Sequence, residues 1–176
     1  DDYLRSTGKN PEQGTREIAD LLERIDAAPL PTSSAGRELT QTLALTGIVL
    51  PLYSEDSWPA LTSALSAAEA GDGSELLALA DGYNGRDPSG HYGTSTHSQR
   101  VISCLDDKQR PSLEETKELL PEFEEISPVF GPFLGWDTAG WCHAWPVAGQ
   151  YETPEVSADG APPVLVVGNT GDPATP

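Results

Sequence analysis

The chain has 176 residues, the length of one average domain, and 37% of them are hydrophobic, which is enough to form a core. Its 17 glycines and 16 prolines are typical of a globular protein rich in loops, and they argue against a wholly disordered chain. Acidic residues outnumber basic ones 28 to 10, and the net charge of −18 argues against nucleic acid and membrane surfaces as partners.

Targeting signals and membrane spans are not recognisable in the sequence. The apolar runs are all too short to cross a bilayer, and the first ten residues are mostly polar. The sequence begins with Asp and contains no Met. We therefore expect either a processed product or a piece of a longer protein.

The first clear helix is predicted to begin at Asn10. This residue is a favourable N-cap, Pro11 suits the first helical position, and Gln13 can complete a capping box. Pro29 is predicted to end the helix. Apolar residues at helical spacing form the expected buried stripe: Ile18, Leu21, Leu22 and Ile25.

Three further helices are predicted before residue 84. The apolar stretch 48–53 contains Pro51 and fits either a helix or an extended segment. Ser57 is predicted to cap the second of the three helices and Gly71 to end it. Segment 82–92 is so rich in Gly, Asn, Asp and Pro that it predicts a loop. The three helices are expected at residues 39–47, 57–71 and 74–83.

The second half of the chain starts with helical signals and then loses them. A short amphipathic helix is predicted to reach Cys104, and Ser112 with Glu115 forms the capping box of another helix that extends to about Leu120. Between residues 123 and 145, large aromatic residues alternate with Gly and Pro. This segment is predicted to be an ordered loop whose aromatic rings pack into the core, with some rings lining a pocket.

The two cysteines, Cys104 and Cys142, are predicted to form a disulfide. Such a bond would close a loop of about 39 residues and stabilise the fold by roughly 3 to 4 kcal/mol. The alternative is two buried, reduced thiols. A metal site is not expected, because His143 adjoins Cys142 without any further ligand at a suitable spacing.

The residues 164–167, Val-Leu-Val-Val, form a continuous apolar run that is typical of a strand buried on both faces of a parallel sheet. No other segment clearly predicts a partner strand. We therefore expect a mostly helical module plus one strand of a sheet whose other members lie outside the given sequence. Asp172 follows in a Gly- and Pro-rich turn, where a carboxylate either orients a histidine or simply stabilises the turn.

Several of these segments resemble the secreted bacterial tripeptidyl aminopeptidases, serine peptidases of the α/β-hydrolase fold with a TAP-like C-terminal segment. The strongest likeness is PPVLVVGNTGDPATP at 162–176, supported by ISCLD around Cys104 and CHAWP at 142–146. GKNPEQG, GREL and LLALADGYNGRD resemble the helical cap of the same family. The resemblance implies that residues 1–160 form the helical lid and that residues 161–176 form the strand and acid loop of an incomplete hydrolase core.

The resemblance also implies a catalytic triad of a serine, an acid and a histidine. This sequence contains a match for the acid alone. Asp172 matches the acid of the catalytic triad, which in this fold follows the serine and precedes the histidine. The nucleophile motif G-x-S-x-G does not occur, and His91, His97 and His143 all precede Asp172. We therefore expect these histidines to be loop or packing residues and the span by itself to be inactive.

The complete enzyme is expected to release tripeptides from peptides with a free N-terminus, without a cofactor. Its partners would be the peptide substrate and the rest of the hydrolase chain. A lid carboxylate should neutralise the substrate's α-ammonium group, and Asp106 is the candidate we name from a set that also contains Asp107, Glu124, Glu125 and Asp137. Two alternatives remain: a lid fragment without catalytic activity that binds peptides or proteins, and a lipase or esterase of the same fold.

Overall fold

Helices make up most of the described chain. The structure is a computed structural model, and it describes residues 2–106, 108, 110–147, 149, 157, 159–163 and 165–168. Within these ranges no helix is both long and apolar enough to cross a bilayer. The α-helices are α1 (Asp2–Thr7), α2 (Pro11–Ala27), α3 (Gln41–Val49), α4 (Trp58–Glu69), α5 (Ser74–Tyr83), α6 (Ser95–Asp106), α7 (Leu113–Ile126) and α8 (Gly131–Gly135).

The capping box predicted at the start of α2 is confirmed. The Asn10 side chain accepts a hydrogen bond from the backbone N–H of Gln13 at 2.9 Å, and the Gln13 side chain accepts one from the backbone N–H of Asn10 at 3.1 Å. The helix ends at Ala27, two residues before Pro29. Its predicted apolar stripe faces the core, since Leu21, Leu22 and Ile25 are buried.

The main core lies among helices α2 to α5, and α5 packs closely against α3. Gly47 makes this approach possible, because a Cβ atom at that position would collide with the backbone carbonyl of Leu76. The predicted helix at 74–83 is confirmed, residue for residue. The buried residues of the core are Leu21, Leu22, Ile25, Leu39, Ala44, Leu45, Ile48, Ala64, Leu65, Ala68, Leu76 and Leu77.

The helix predicted at 39–47 is shifted in the structure. Thr40 is its N-cap, and Leu39 belongs instead to a two-stranded antiparallel sheet that the sequence did not predict. The sheet consists of β1 (Leu30–Pro31) and β2 (Glu38–Leu39), with Leu30 opposite Leu39. The Leu39 side chain enters the core from this strand and not from a helix. A single buried leucine is compatible with either structure, and it was therefore included in the predicted helix.

Two further predictions in this region are resolved. The ambiguous stretch 48–53 is helical, because α3 continues to Val49 and a 3₁₀ turn follows at Leu50–Tyr53. Ser57 occupies the N-cap position of α4, as predicted, but its side chain makes no capping hydrogen bond. Its backbone conformation is helical, because a 3₁₀ turn leads directly into α4.

The Ser112–Glu115 capping box of α7 is confirmed, but α7 is longer than expected. It continues through Pro121 to Ile126, although proline lacks the backbone N–H that a helix interior normally uses. Helix α8 packs against this second half of α7.

The prediction of a loop over residues 123–145 is wrong for much of its length. After the end of α7, α8 is followed by a π-helical turn at Trp136–Gly140, which we call the π-helix. In the sequence, the glycines of this segment indicated turns, but in the structure two of them permit close packing between helices. A Cβ atom at Gly131 would collide with the carbonyl of Phe123, and one at Gly135 would crowd the side chains of α7.

The strand predicted at 164–167 is not formed in the described part of this segment. Leu165, Val166 and Val167 have irregular backbone and are 79 to 87% exposed, and Val164 lies outside the described residues. A strand requires a neighbour for its backbone hydrogen bonds, and the described chain places none beside these residues.

Candidate functional site

A cleft of about 860 Å³ lies between α2 and α3 on one side and α7, α8 and the π-helix on the other. Leu22 and Leu45 contribute core side chains to its lining, and Val129 and Phe133 contribute apolar surface that packs against the same core. The cleft therefore forms where the C-terminal helices meet the main core. Its volume is in the range of pockets that hold small ligands.

Aromatic and charged side chains surround this apolar lining. Charged residues come from α2, α6, α7 and the π-helix, with four acidic and two basic groups: Asp20, Glu23, Glu124, Asp137, Arg16 and Arg100. The aromatic lining residues are Phe133, Trp136 and Trp141. With more acidic than basic groups, the cleft favours a cationic ligand over an anionic one.

Asp137 is the acidic residue most affected by this environment. It is the second residue of the π-helix and is half-buried, and burial raises the pKa of its carboxyl group above the usual value for Asp. The positive charge of Arg100 lowers the pKa and offsets part of this effect. No described residue donates a hydrogen bond to the Asp137 carboxylate or forms an ion pair with it.

The predicted disulfide between Cys104 and Cys142 is confirmed, and it attaches α6 to the rim of the cleft. The Cα atoms of the two cysteines are 5.4 Å apart. Arg100 lies four residues before Cys104 and therefore on the same face of α6. Its guanidinium carbon is 4.2 Å from the ring centroid of Trp141, the neighbour of Cys142, in a cation–π contact. The disulfide thus holds a positive charge beside the Asp137 carboxylate.

We expect Asp137→Asn to raise the melting temperature at pH 7. Because the pKa of Asp137 is higher in the folded than in the unfolded protein, ionisation of this group opposes folding. Its contribution to stability is fully present below the unfolded pKa of about 3.9 and is lost as the pH rises through the higher folded pKa. The variant should therefore gain most over the wild type near neutral pH and lose this advantage below about pH 4.

Thermal unfolding measured from pH 3 to pH 8 tests this expectation. Asp26→Asn is a matched control, because it removes the same charge from an exposed position on α2 outside the cleft. The other titratable groups around the cleft are common to both variants: Arg16, Asp20, Glu23, Tyr83, Arg100 and Glu124. A stability difference that is equal at all pH values would contradict the proposed effect of burial.

The acidic residues considered from sequence occupy different environments. Glu124 and Asp137 line the cleft, whereas Asp106 is exposed at the last residue of α6, outside the cleft lining. Glu125 is also exposed. Asp107 lies outside the described residues.

The catalytic assignment of Asp172 also falls outside the described residues and stays a prediction. Of the histidines, His97 lies in α6 and not in a loop, and the ring of His143 is 3.1 Å from the carbonyl oxygen of Pro111. The Nδ1 atom of His91 lies 3.5 Å from a carboxylate oxygen of Asp87. In the described part of the chain, no three His, Cys, Asp or Glu side chains are grouped so that they could hold a metal ion.

Sequence reasoning missed Arg100. Trp141 belongs to the aromatic segment 123–145, from which some rings were expected to line a pocket, and Phe133, Trp136 and Trp141 do line the cleft. Arg100 shares a helix face with Cys104, and Trp141 directly precedes Cys142, so the bridge predicts that the two side chains are close.

Comparison with known proteins identifies relatives over most of the chain. Residues 127–176 match the TAP-like protein family, whose name marks it as an α/β-hydrolase family. The serine protease Hip1 of Mycobacterium tuberculosis is 37% identical over 145 residues, which cover 80% of this chain and 27% of that protein. Carboxylesterase B of the same species is 31% identical over 172 residues, which cover 96% of this chain and 33% of that protein.

The chain therefore spans about a third or less of the length of these relatives. The C-terminal segment 127–176 matches the TAP-like family of α/β-hydrolases, and the chain as a whole is similar to hydrolases over 80 to 96% of its length.

Proposed function

We propose that this chain supplies the lid and the triad acid of a secreted serine exopeptidase that releases tripeptides from free N-termini. Residues 1–160 would form the lid, and residues 161–176 would return the chain to the hydrolase sheet and carry Asp172. The observation that carries the proposal is the cleft, which combines a half-buried carboxylate with aromatic side chains and has most of its C-terminal wall within the TAP-like match at 127–176.

The reaction would be acyl transfer. A serine hydroxyl attacks the scissile carbonyl while a histidine accepts its proton, and backbone N–H groups stabilise the oxyanion. The histidine then protonates the leaving amine, and water hydrolyses the acyl-enzyme by the same steps. Asp172 would remain ionised, keep the histidine in the required tautomer and stabilise its cationic form. The serine and histidine would come from parts of the protein outside this chain.

The lid would determine which peptides reach that machinery. An exopeptidase needs a closed end to its site and a group that recognises the terminal ammonium, because the same triad on an open site cleaves other acyl compounds. From sequence alone, Asp106 is the candidate that we named for this group. The disulfide and the Hip1 relative support an extracellular or cell-envelope location for the enzyme.

An esterase of the same fold is the second candidate. Carboxylesterase B aligns with 96% of this chain, more than Hip1 does. The triad does not distinguish between an ester and an amide, so the choice depends on how the lid receives the acyl group.

Turnover by the complete protein decides between these candidates. We expect a chromogenic tripeptidyl amide with a free N-terminus to have the highest kcat/KM, and its N-acetyl form to be about 10- to 100-fold poorer, because a charge-assisted contact is lost. The 176-residue chain alone should hydrolyse neither compound. Turnover of short-chain esters without any release of tripeptides would favour the esterase, and no turnover at all would favour a non-catalytic binding module.

A further inference from the structure

We infer that the cleft between α2, α3 and the π-helix binds the terminal ammonium group of a peptide, with the carboxylate of Asp137 as its counter-charge. This inference rests on the proposed exopeptidase function and names the residue that recognises the free N-terminus. Asp137 replaces the exposed Asp106 as the candidate for that role.

The burial of Asp137 distinguishes it from the other acidic residues of the cleft. Asp137 is half-buried, whereas Asp20, Glu23 and Glu124 are exposed. An exposed carboxylate binds a cation weakly, because water and salt screen the interaction. A partly desolvated carboxylate gains more from a cation, since it has already lost part of its hydration.

Asp137 also lacks a direct partner within the described residues. Arg100 is close enough to influence its charge, but no ion pair within 4 Å joins them, and the guanidinium group lies over the ring of Trp141 instead. Burial raises the pKa of Asp137 despite this positive charge. The position therefore costs stability in the empty protein, which is typical of a group that serves binding rather than folding.

The surroundings fit an organic ammonium group better than a metal ion. The described residues contain no cluster of three side chains that could ligate a metal. Trp136, which immediately precedes Asp137, contributes its indole ring to the lining of the cleft, and indole faces attract cations, whereas a face of Trp141 is already covered by Arg100. An α-ammonium group can donate up to three hydrogen bonds, and the apolar side chains at the base of the cleft can contact the first residues of the peptide.

Binding of trialanine to the complete protein tests this inference. Trialanine has a free N-terminus and the length of the proposed product, so binding can be measured by calorimetry without turnover. We expect Asp137→Asn to weaken trialanine binding about 10- to 100-fold, because a charge-assisted hydrogen bond is lost. N-acetyl-trialanine should bind weakly to both proteins. Asp137→Glu, which keeps the charge, should retain part of the affinity.

Two further variants distinguish Asp137 from other acidic residues. Asp26→Asn removes an equal charge outside the cleft and should leave trialanine binding unchanged. Asp106→Asn tests the candidate named from sequence, and an effect there but not at Asp137 would overturn the inference. An N-acetyl peptide with an internal lysine should bind no better than N-acetyl-trialanine, and equal binding to trialanine would overturn the assignment to the terminal ammonium group.

The failure of this inference can be separated from the failure of the proposed function. If the protein releases tripeptides but Asp137→Asn binds trialanine as tightly as the wild type, the ammonium site is wrong and the exopeptidase stands. If the protein cleaves only esters but binds trialanine in an Asp137-dependent manner, the exopeptidase is wrong and the ammonium site is supported. Normal ester hydrolysis or an undiminished melting temperature shows that Asp137→Asn is folded.

Discussion

Asp172→Asn is expected to lower the kcat of the complete enzyme about 10⁴-fold while leaving its folding intact. The asparagine amide has nearly the same shape as the carboxylate, but it cannot stabilise a cationic imidazole and it favours the wrong histidine tautomer. Asp172 lies outside the described residues, so the prediction rests on its position in the TAP-like match at 127–176. Steady-state kinetics on a tripeptidyl amide and on a short-chain ester measure the effect.

Both substrates should lose kcat by a similar factor, because the triad acts on amides and esters alike. Asp159→Asn is a suitable control, since it makes the same change at an exposed position within the TAP-like match at 127–176. A variant at Asp172 that retains nearly normal kcat on either substrate would remove this residue from the triad.

The helices of the first half were predictable because their signals are local. The capping residues of α2, its stripe of buried side chains and the bounds of α5 follow from spacings within a single helix. The antiparallel pair of β1 and β2 was missed because each strand has two residues, too few to show any alternation.

Residues 123–145 were mispredicted because contacts between helices determine their structure. The signals at Pro121, Gly131 and Gly135 indicate helix breaks when they are considered alone. In the structure the two glycines allow α8 to lie directly against α7, and this packing supports the helical conformation of both. The cleft could not be predicted for the same reason, since residues about 100 positions apart line its two walls.

Asp137 could be named as a candidate from sequence, but it could not be distinguished from the other acidic candidates without the fold. The sequence includes it in a short set of acidic residues near the cysteines and the aromatic segment. Burial then distinguishes it from Asp106 and Glu124, and burial depends on the tertiary fold. The disulfide was predictable because two cysteines allow a single pairing, and the bridge brings Arg100 of α6 and Trp141 close together.

Reduction of the Cys104–Cys142 bond is expected to destabilise α6 and the segment that follows it by roughly 3 to 4 kcal/mol, because the bond joins residues that are 38 positions apart and so closes a long loop in the unfolded chain. Helix α6 makes few contacts with the other helices, and its apolar residues Val101, Ile102 and Leu105 are 41 to 59% exposed. The covalent bond is therefore its main attachment within the described structure.

The effect of reduction should be local. The core among α2 to α5 contains neither cysteine, so its amide protons should remain protected from hydrogen exchange while those of α6 to the π-helix lose protection. Hydrogen exchange with mass spectrometry, with and without a reductant, measures both regions in one experiment, and a Cys104→Ser/Cys142→Ser double variant should no longer respond to the reductant. Equal loss of protection in both regions would show instead that the bond stabilises the whole fold. Unchanged protection in α6 would show that packing alone holds this helix, and the charge of Arg100 would then remain beside Asp137 under reducing conditions.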